Sequence, residues 1–234
     1  MSKERFENII RLLPEPYYKD TWCAIYHGDC REILPSIPDK SIDLVLTDPP
    51  YGIKRDKGFE GFEGFGGFGP PIARRRYEQD NWDAERINAT TIKDVLRVSK
   101  QAIIFGGNYY ADILPQGKHW LAWDKLNTMP TFGDCELAWT NIPRNSVKKY
   151  TVEYNGLIGK EHDRKHPTQK PVKLFARILA DYSSNLILDP FLGSGTTAYC
   201  AKKLNRYCIG IEIEEKYCEI AAKRCCQSVM ELNV

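Results

Sequence analysis

Apolar and polar positions along the chain follow two alternating rhythms. After Lys170-Pro171 the apolar residues Leu174, Phe175, Ile178, Leu179 and Tyr182 recur at helical spacing, with Pro171 suited to a first turn. A short apolar strand, 186–188, follows and runs into Asp189-Pro190-Phe191-Leu192-Gly193-Ser194-Gly195-Thr196-Thr197. That turn opens a helix carrying Ala198, Ala201 and Leu204, and a second strand, 207–213, ends on acidic residues. Together these make one βαβ unit. Earlier, 24–26 and 42–46 read as strands, the second ending on Thr47-Asp48-Pro49-Pro50-Tyr51. Runs 102–105, 120–123 and 137–140 read as further strands, with helical patterns around Ile92, Val95 and Leu96 and near 109–114. The alternation predicts an α/β fold with a largely parallel sheet.

Composition narrows the picture. At 234 residues the chain suits one domain with a substantial core, which excludes a disordered tail or linker protein. No run approaches the roughly 18 apolar residues of a membrane span, and MSKERFENII is charged where a signal peptide is apolar. The expectation is a cytoplasmic protein without a membrane partner. The eight cysteines include no C-x2-C pair, so reduced thiols and no metal site are expected.

Two segments carry chemistry. Gly193 and Gly195 form a Gly-x-Gly turn between strand and helix, where missing side chains admit a ligand and the helix N-terminus offers N–H donors. Glu212 lies 17 positions after Gly195, near the spacing of about 20 expected for a carboxylate that binds ribose hydroxyls. An adenosine-containing ligand is implied, with Asp189 and Phe191 adding a carboxylate and an aromatic at the strand end. In Asp48-Pro49-Pro50-Tyr51 the prolines hold the chain extended past its strand and present Asp48 and Tyr51 at the crevice. A carboxylate and a proline-locked carbonyl can accept both hydrogens of a planar amino group while Tyr51 stacks on its ring. The substrate so implied is a nucleobase.

These motifs resemble the S-adenosylmethionine-dependent amino-group DNA methyltransferases. TDPPYG (47–52) is similar to their catalytic motif, ILDPFLGSGTT (187–197) to their cofactor motif and HPTQKP (166–171) to the segment before it. The catalytic motif comes first, as in the β group. The resemblance runs from about Tyr26 to Arg224, through IYHGDC, IIFGGNYY and RYCIGIEIEEKYCEIA. It implies a circularly permuted, Rossmann-like class I methyltransferase fold, with a mostly parallel seven-stranded sheet and helices on both faces, over a single domain spanning 1–234.

Residue by residue, the resemblance implies that Asp48, Pro49, Pro50 and Tyr51 hold the flipped target base. Asp189, Phe191, Gly193 and Gly195 would surround the methionine part of S-adenosylmethionine, Thr196 and Thr197 its carboxylate, and Glu212 the ribose. Asp29 matches a position near the cofactor adenine and equally suits a helix N-cap. Lys170 matches one that faces the cofactor carboxylate and equally suits a solvated cation. The run 120–125, Asn108, and Glu136 with Trp139 recur near the base pocket in the family but read as core here. DPPY is typical of adenine-N6 transfer, with cytosine-N4 as the alternative. A nucleotide-binding oxidoreductase would account for Gly-x-Gly and Glu212 but not for 48–51, and a non-enzymatic DNA-binding module would account for the basic residues but not for an intact cofactor site. By analogy the family implies double-stranded DNA, a second copy of the chain and a cognate restriction enzyme as partners.

Net charge is only +2, but it is uneven. Residues 144–177 carry nine basic and three acidic side chains, against six and nine over 1–50. Lys148, Lys149, Lys160, Arg164 and Lys165 are therefore the expected phosphate contacts within a recognition insertion at 141–165. A second insertion, 54–86, holds Arg74, Arg75 and Arg76 behind the glycine-rich GFEGFEGFGGFG, and reads either as a DNA-contacting lid or as a solvated surface loop with seven charges of each sign.

Overall fold

A computed structural model describes residues 2–53, 85–126, 133–153 and 169–227. Of the expected sites, Arg74, Arg75, Arg76, Lys160, Arg164, Lys165 and the first three residues of HPTQKP lie outside the described residues. The helices are α1 (Ser2–Ile10), α2 (Cys30–Ile33), α3 (Ala89–Val98), α4 (Val172–Asp181), α5 (Thr196–Lys203) and α6 (Glu215–Gln227). The strands are β1 (Tyr18–Lys19), β2 (Cys23–His27), β3 (Ile42–Thr47), β4 (Ser99–Phe105), β5 (His119–Asp124), β6 (Cys135–Thr140), β7 (Val147–Thr151), β8 (Leu186–Asp189) and β9 (Tyr207–Glu212). None of the described helices is long and apolar enough to cross a membrane.

All nine strands join one sheet in the order β1-β2-β9-β8-β3-β4-β6-β5-β7. Its body, β2-β9-β8-β3-β4, is parallel, and β6 runs antiparallel to both β4 and β5. The expected seven strands run from β2 to β5 in this order, and among the described residues one further strand at each edge corrects the count to nine. Two-residue β1 pairs antiparallel with β2, and β7 pairs parallel with β5. Neither carries a legible apolar rhythm, since β1 is too short and β7 buries only Tyr150. Part of the expected recognition insertion at 141–165 is thus a sheet edge.

Alternate strand residues feed two cores, as a sheet covered on both faces requires. Cys23, Ile25, Leu44, Leu46, Ile103 and Phe105 pack with Leu174, Phe175 and Ile178 of α4, Ala198 and Ala201 of α5, and Cys218 and Ala221 of α6. Ala24, Tyr26, Val45, Ala102 and Ile104 pack with Phe6 and Ile9 of α1, Ile33 of α2, and Ile92 and Val95 of α3. All eight cysteines are free thiols.

This order places the carboxyl ends of β9, β8 and β3 side by side, and with them Glu212, Asp189 and Asp48. In open parallel sheets this is the edge where ligands bind.

Candidate active site

A cavity of about 530 Å³ opens at these strand ends. Asp29, Asp48, Pro50, Lys170, Asp189, Phe191, Gly193, Thr196, Thr197 and Glu212 line it, together with Arg86, Asn88 and Tyr217. The volume lies in the range of small-molecule sites, roughly 300–1,000 Å³. A shallower groove of about 870 Å³, beside Arg5, Asp43 and Lys100, holds none of the expected residues.

The Gly-x-Gly turn is built by backbone conformations that favour glycine. Gly193 and Gly195 have φ of +53° and +82°, and Gly195 is the N-cap of α5, with no side chain capping the helix. A Cβ at Gly195 would come within 2.6 Å of Ala221 Cβ, whereas one at Gly193 would meet nothing within 4 Å. Gly195 therefore answers to packing, and Gly193 leaves space toward the cavity. The Gly193 N–H donates to Glu212 Oε2 at 2.7 Å and the Glu214 N–H to Oε1 at 2.9 Å. Burial nevertheless pushes the Glu212 carboxyl up to about 7.

Asp189 braces the floor. It accepts from the hydroxyls of Thr47 at 2.7 Å and Thr197 at 2.5 Å and from the Phe191 N–H at 3.1 Å, joining the ends of β3 and β8 to α5. Burial raises it to about 6. The Thr197 hydroxyl is committed to this brace, while the Thr196 hydroxyl receives Arg224 at 3.2 Å. Asp29 is the N-cap of α2, accepting from the Arg31 N–H at 2.9 Å, and it also lines the cavity. The Arg31 guanidinium holds its carboxyl below the ordinary range.

At the far end, Asp48 sits just past β3. The Tyr51 hydroxyl donates to its Oδ1, and Lys170 Nζ lies 2.6 Å from its Oδ2. Tyr51 stacks on Tyr109 with ring centroids 4.8 Å apart and an interplanar angle of 19°. It lies against Gly106, whose φ of +65° and lack of a Cβ make room for the ring. The Tyr110 hydroxyl donates to the Pro50 carbonyl, so the segment after β4 clamps the proline turn. Pro49, Tyr51 and Gly195 do not line the cavity wall itself.

Lys170 and Glu136 depart most from the sequence reading. The Lys170 side chain is 7% exposed, and its ammonium reaches Asp48 and, at 3.0 Å, Glu136 Oε2. Lys125 pairs with the other oxygen of Glu136 at 2.6 Å. Burial opposes charge on Glu136, but the two lysines override it and hold its carboxyl down at about 2. Burial raises the Asp48 carboxyl above its ordinary range; Lys170 and the Tyr51 hydroxyl oppose the rise, and Glu136 adds to it. The two carboxylates in turn hold the Lys170 ammonium protonated against burial. Glu136 read as core because it sits inside the strand sequence CELAWT; the signal was a carboxylate on an otherwise apolar strand.

The chain resembles known proteins in sequence and in fold. Residues 78–223 match the family model described as DNA methylase. The type II methyltransferase M.HinfI of Haemophilus influenzae is 30% identical, over 86% of this chain and 67% of its own length. The type II methyltransferase M2.DpnII of Streptococcus pneumoniae is 28% identical, over 91% of this chain and 93% of its own. Among solved structures, the M1.HpyAVI–SAM complex superposes with a TM-score of 0.56 at 26% identity, covering 86% of this chain and 98% of that one.

Proposed function

The chain belongs to the DNA methylase family, and from that premise we propose that it transfers a methyl group from S-adenosylmethionine to the exocyclic N6 of a flipped adenine in double-stranded DNA. The observation that carries this reading is the cavity itself, which joins a Gly-x-Gly helix start and a strand-end carboxylate to the Asp-Pro-Pro-Tyr turn. The cofactor in the M1.HpyAVI complex supports S-adenosylmethionine here, and DPPY supports adenine over cytosine.

The residues fit the cofactor. Gly193 leaves space where a side chain would intrude, the start of α5 offers N–H donors for a carboxylate, and Glu212 offers acceptors for ribose hydroxyls. When bound, S-adenosylmethionine supplies an electrophilic methyl on a good leaving group. The protein's work is then alignment and exclusion of water. Asp48 and the Pro49 carbonyl accept the two amine hydrogens, which favours a more tetrahedral nitrogen and frees its lone pair. Asp48 takes the proton as the nitrogen becomes cationic. Extruding the base from the duplex costs a few kcal/mol, which stacking on Tyr51 partly offsets once the base takes the place of Tyr109 on that ring.

The same reading takes 1–234 as one catalytic domain with recognition insertions at 54–86 and 141–165. The type II designation of both relatives supports a cognate restriction enzyme as partner, and the frequency of dimers in the β group supports a homodimer. The test is transfer of labelled methyl to unmethylated DNA by wild type and Asp48→Ala. Transfer by wild type and none by the variant, with calorimetric S-adenosylmethionine binding preserved in both, is expected. Joint loss of binding and transfer would contradict the division of labour between the two motifs.

A further inference from the structure

Each end of the Asp48 carboxylate is already engaged, by Tyr51 at Oδ1 and by Lys170 at Oδ2, yet a carboxylate has about four acceptor positions and keeps room for an amine on each oxygen. Behind Asp48 stands a row of alternating charge: Lys170 at 2.6 Å, Glu136 at 3.0 Å from Lys170, and Lys125 at 2.6 Å from Glu136. It is assembled from the end of β3, the segment before α4, β6 and the end of β5. The side chains of Lys125, Glu136 and Lys170 are 11%, 17% and 7% exposed. Two long cations and a carboxylate are costly to hold so far from water unless they are paired.

We propose that Lys170 and Glu136 are positioning residues that hold Asp48 as an ionised acceptor of fixed orientation for the amine, with opposite effects on it. Lys170 fixes Oδ2 and favours the negative form. Glu136 shares the ammonium, which limits its hold on Asp48 and leaves the carboxylate able to take the amine proton after the methyl arrives. The row alternates in sign and sums to zero with Asp48, so it adds no net charge opposite a cationic sulfonium. Among the described residues, the other titratable neighbours of Asp48 are Tyr51, which donates to it, and Asp189 at the adjoining strand end. Lys125 acts on Asp48 only through Glu136.

The inference rests on the methyl-transfer reading, and its test separates the two. Single-turnover transfer of labelled methyl to unmethylated DNA is followed against pH for wild type, Lys170→Met and Glu136→Gln, with S-adenosylmethionine affinity measured for each. Wild type is expected to lose rate as pH falls, because protonated Asp48 no longer accepts. Removing the Lys170 cation should move that limb to higher pH by about 1–3 units, and removing the Glu136 anion should move it lower. Cofactor affinity should stay within about threefold in both, which also reports that the variants are folded. Limbs that stay in place, or move in the same direction, overturn the inference while leaving the methyl-transfer reading intact. A Lys170→Met defect confined to cofactor affinity also overturns it and returns Lys170 to the cofactor carboxylate. A wild-type protein that methylates no DNA overturns the reading and the inference together.

Discussion

At the scale of single residues, three carboxylates at neighbouring strand ends differ through their surroundings alone. Asp189 accepts from two hydroxyls and an N–H and acts as a brace. Glu212 accepts two backbone N–H groups and faces the cavity, yet burial leaves it protonated below about 7. Ribose hydroxyls donate to the ionised form, so cofactor binding must favour loss of that proton. Affinity for S-adenosylmethionine should therefore fall as pH drops from about 8 to 6, approaching tenfold per unit below the raised value. Calorimetry across that range should show the fall in wild type. Glu212→Gln should bind more weakly with a flattened profile, and any residual slope would report Asp189. An undiminished slope in the variant would remove Glu212 from the ribose role.

At the scale of elements, the turn between β8 and α5 sets a tightly packed glycine two residues from one with open space beside it. Alanine at either glycine must adopt a positive φ, at about 1–2 kcal/mol. At Gly195 it also drives a Cβ into Ala221, adding roughly 1–3 kcal/mol of overpacking. Gly195→Ala should thus shift the urea unfolding midpoint further than Gly193→Ala, whose distinguishing defect should be weaker cofactor binding. The reverse pattern would show that the open side of Gly193 does not face the ligand. This βαβ unit was the most legible part of the chain, because continuous strands 186–189 and 207–212 enclose a helix of helical period. Edge strands β1 and β7 were not legible: one has two residues, and the other buries only one of its five positions. Lys170 was named for the cofactor because a motif carries no record of what faces it. Its partners Asp48 and Glu136 come from distant strands, and only the fold brings the three together.

At the scale of the whole molecule, a charge of +2 conceals the basic stretch 144–177, and the structure adds that its charges are not equivalent. Lys148 pairs with Asp181 at 2.7 Å and Lys149 with Asp124 at 3.1 Å, both along edge strand β7. Exposed pairs of this kind contribute little to stability and leave the lysines only partly free for phosphates. Neutralising Lys148, Lys149, Lys160, Arg164 and Lys165 together should flatten the dependence of DNA affinity on salt, by about 0.9 in logarithmic slope for each phosphate that the protein no longer neutralises. A titration series in salt that gives wild-type slope would place the DNA elsewhere on the molecule.

The central claim is that one crevice holds the methyl donor at the end of β8 and β9 and the amine acceptor at the end of β3. Its most direct measurement is the identity of the nucleoside that carries the label after DNA is incubated with the protein and methyl-labelled S-adenosylmethionine, then digested. The label should be recovered as N6-methyldeoxyadenosine from wild type and be absent from Asp48→Ala. Label on N4 of cytosine would contradict the choice of base, and label recovered from Asp48→Ala at the wild-type rate would contradict the role of the crevice itself.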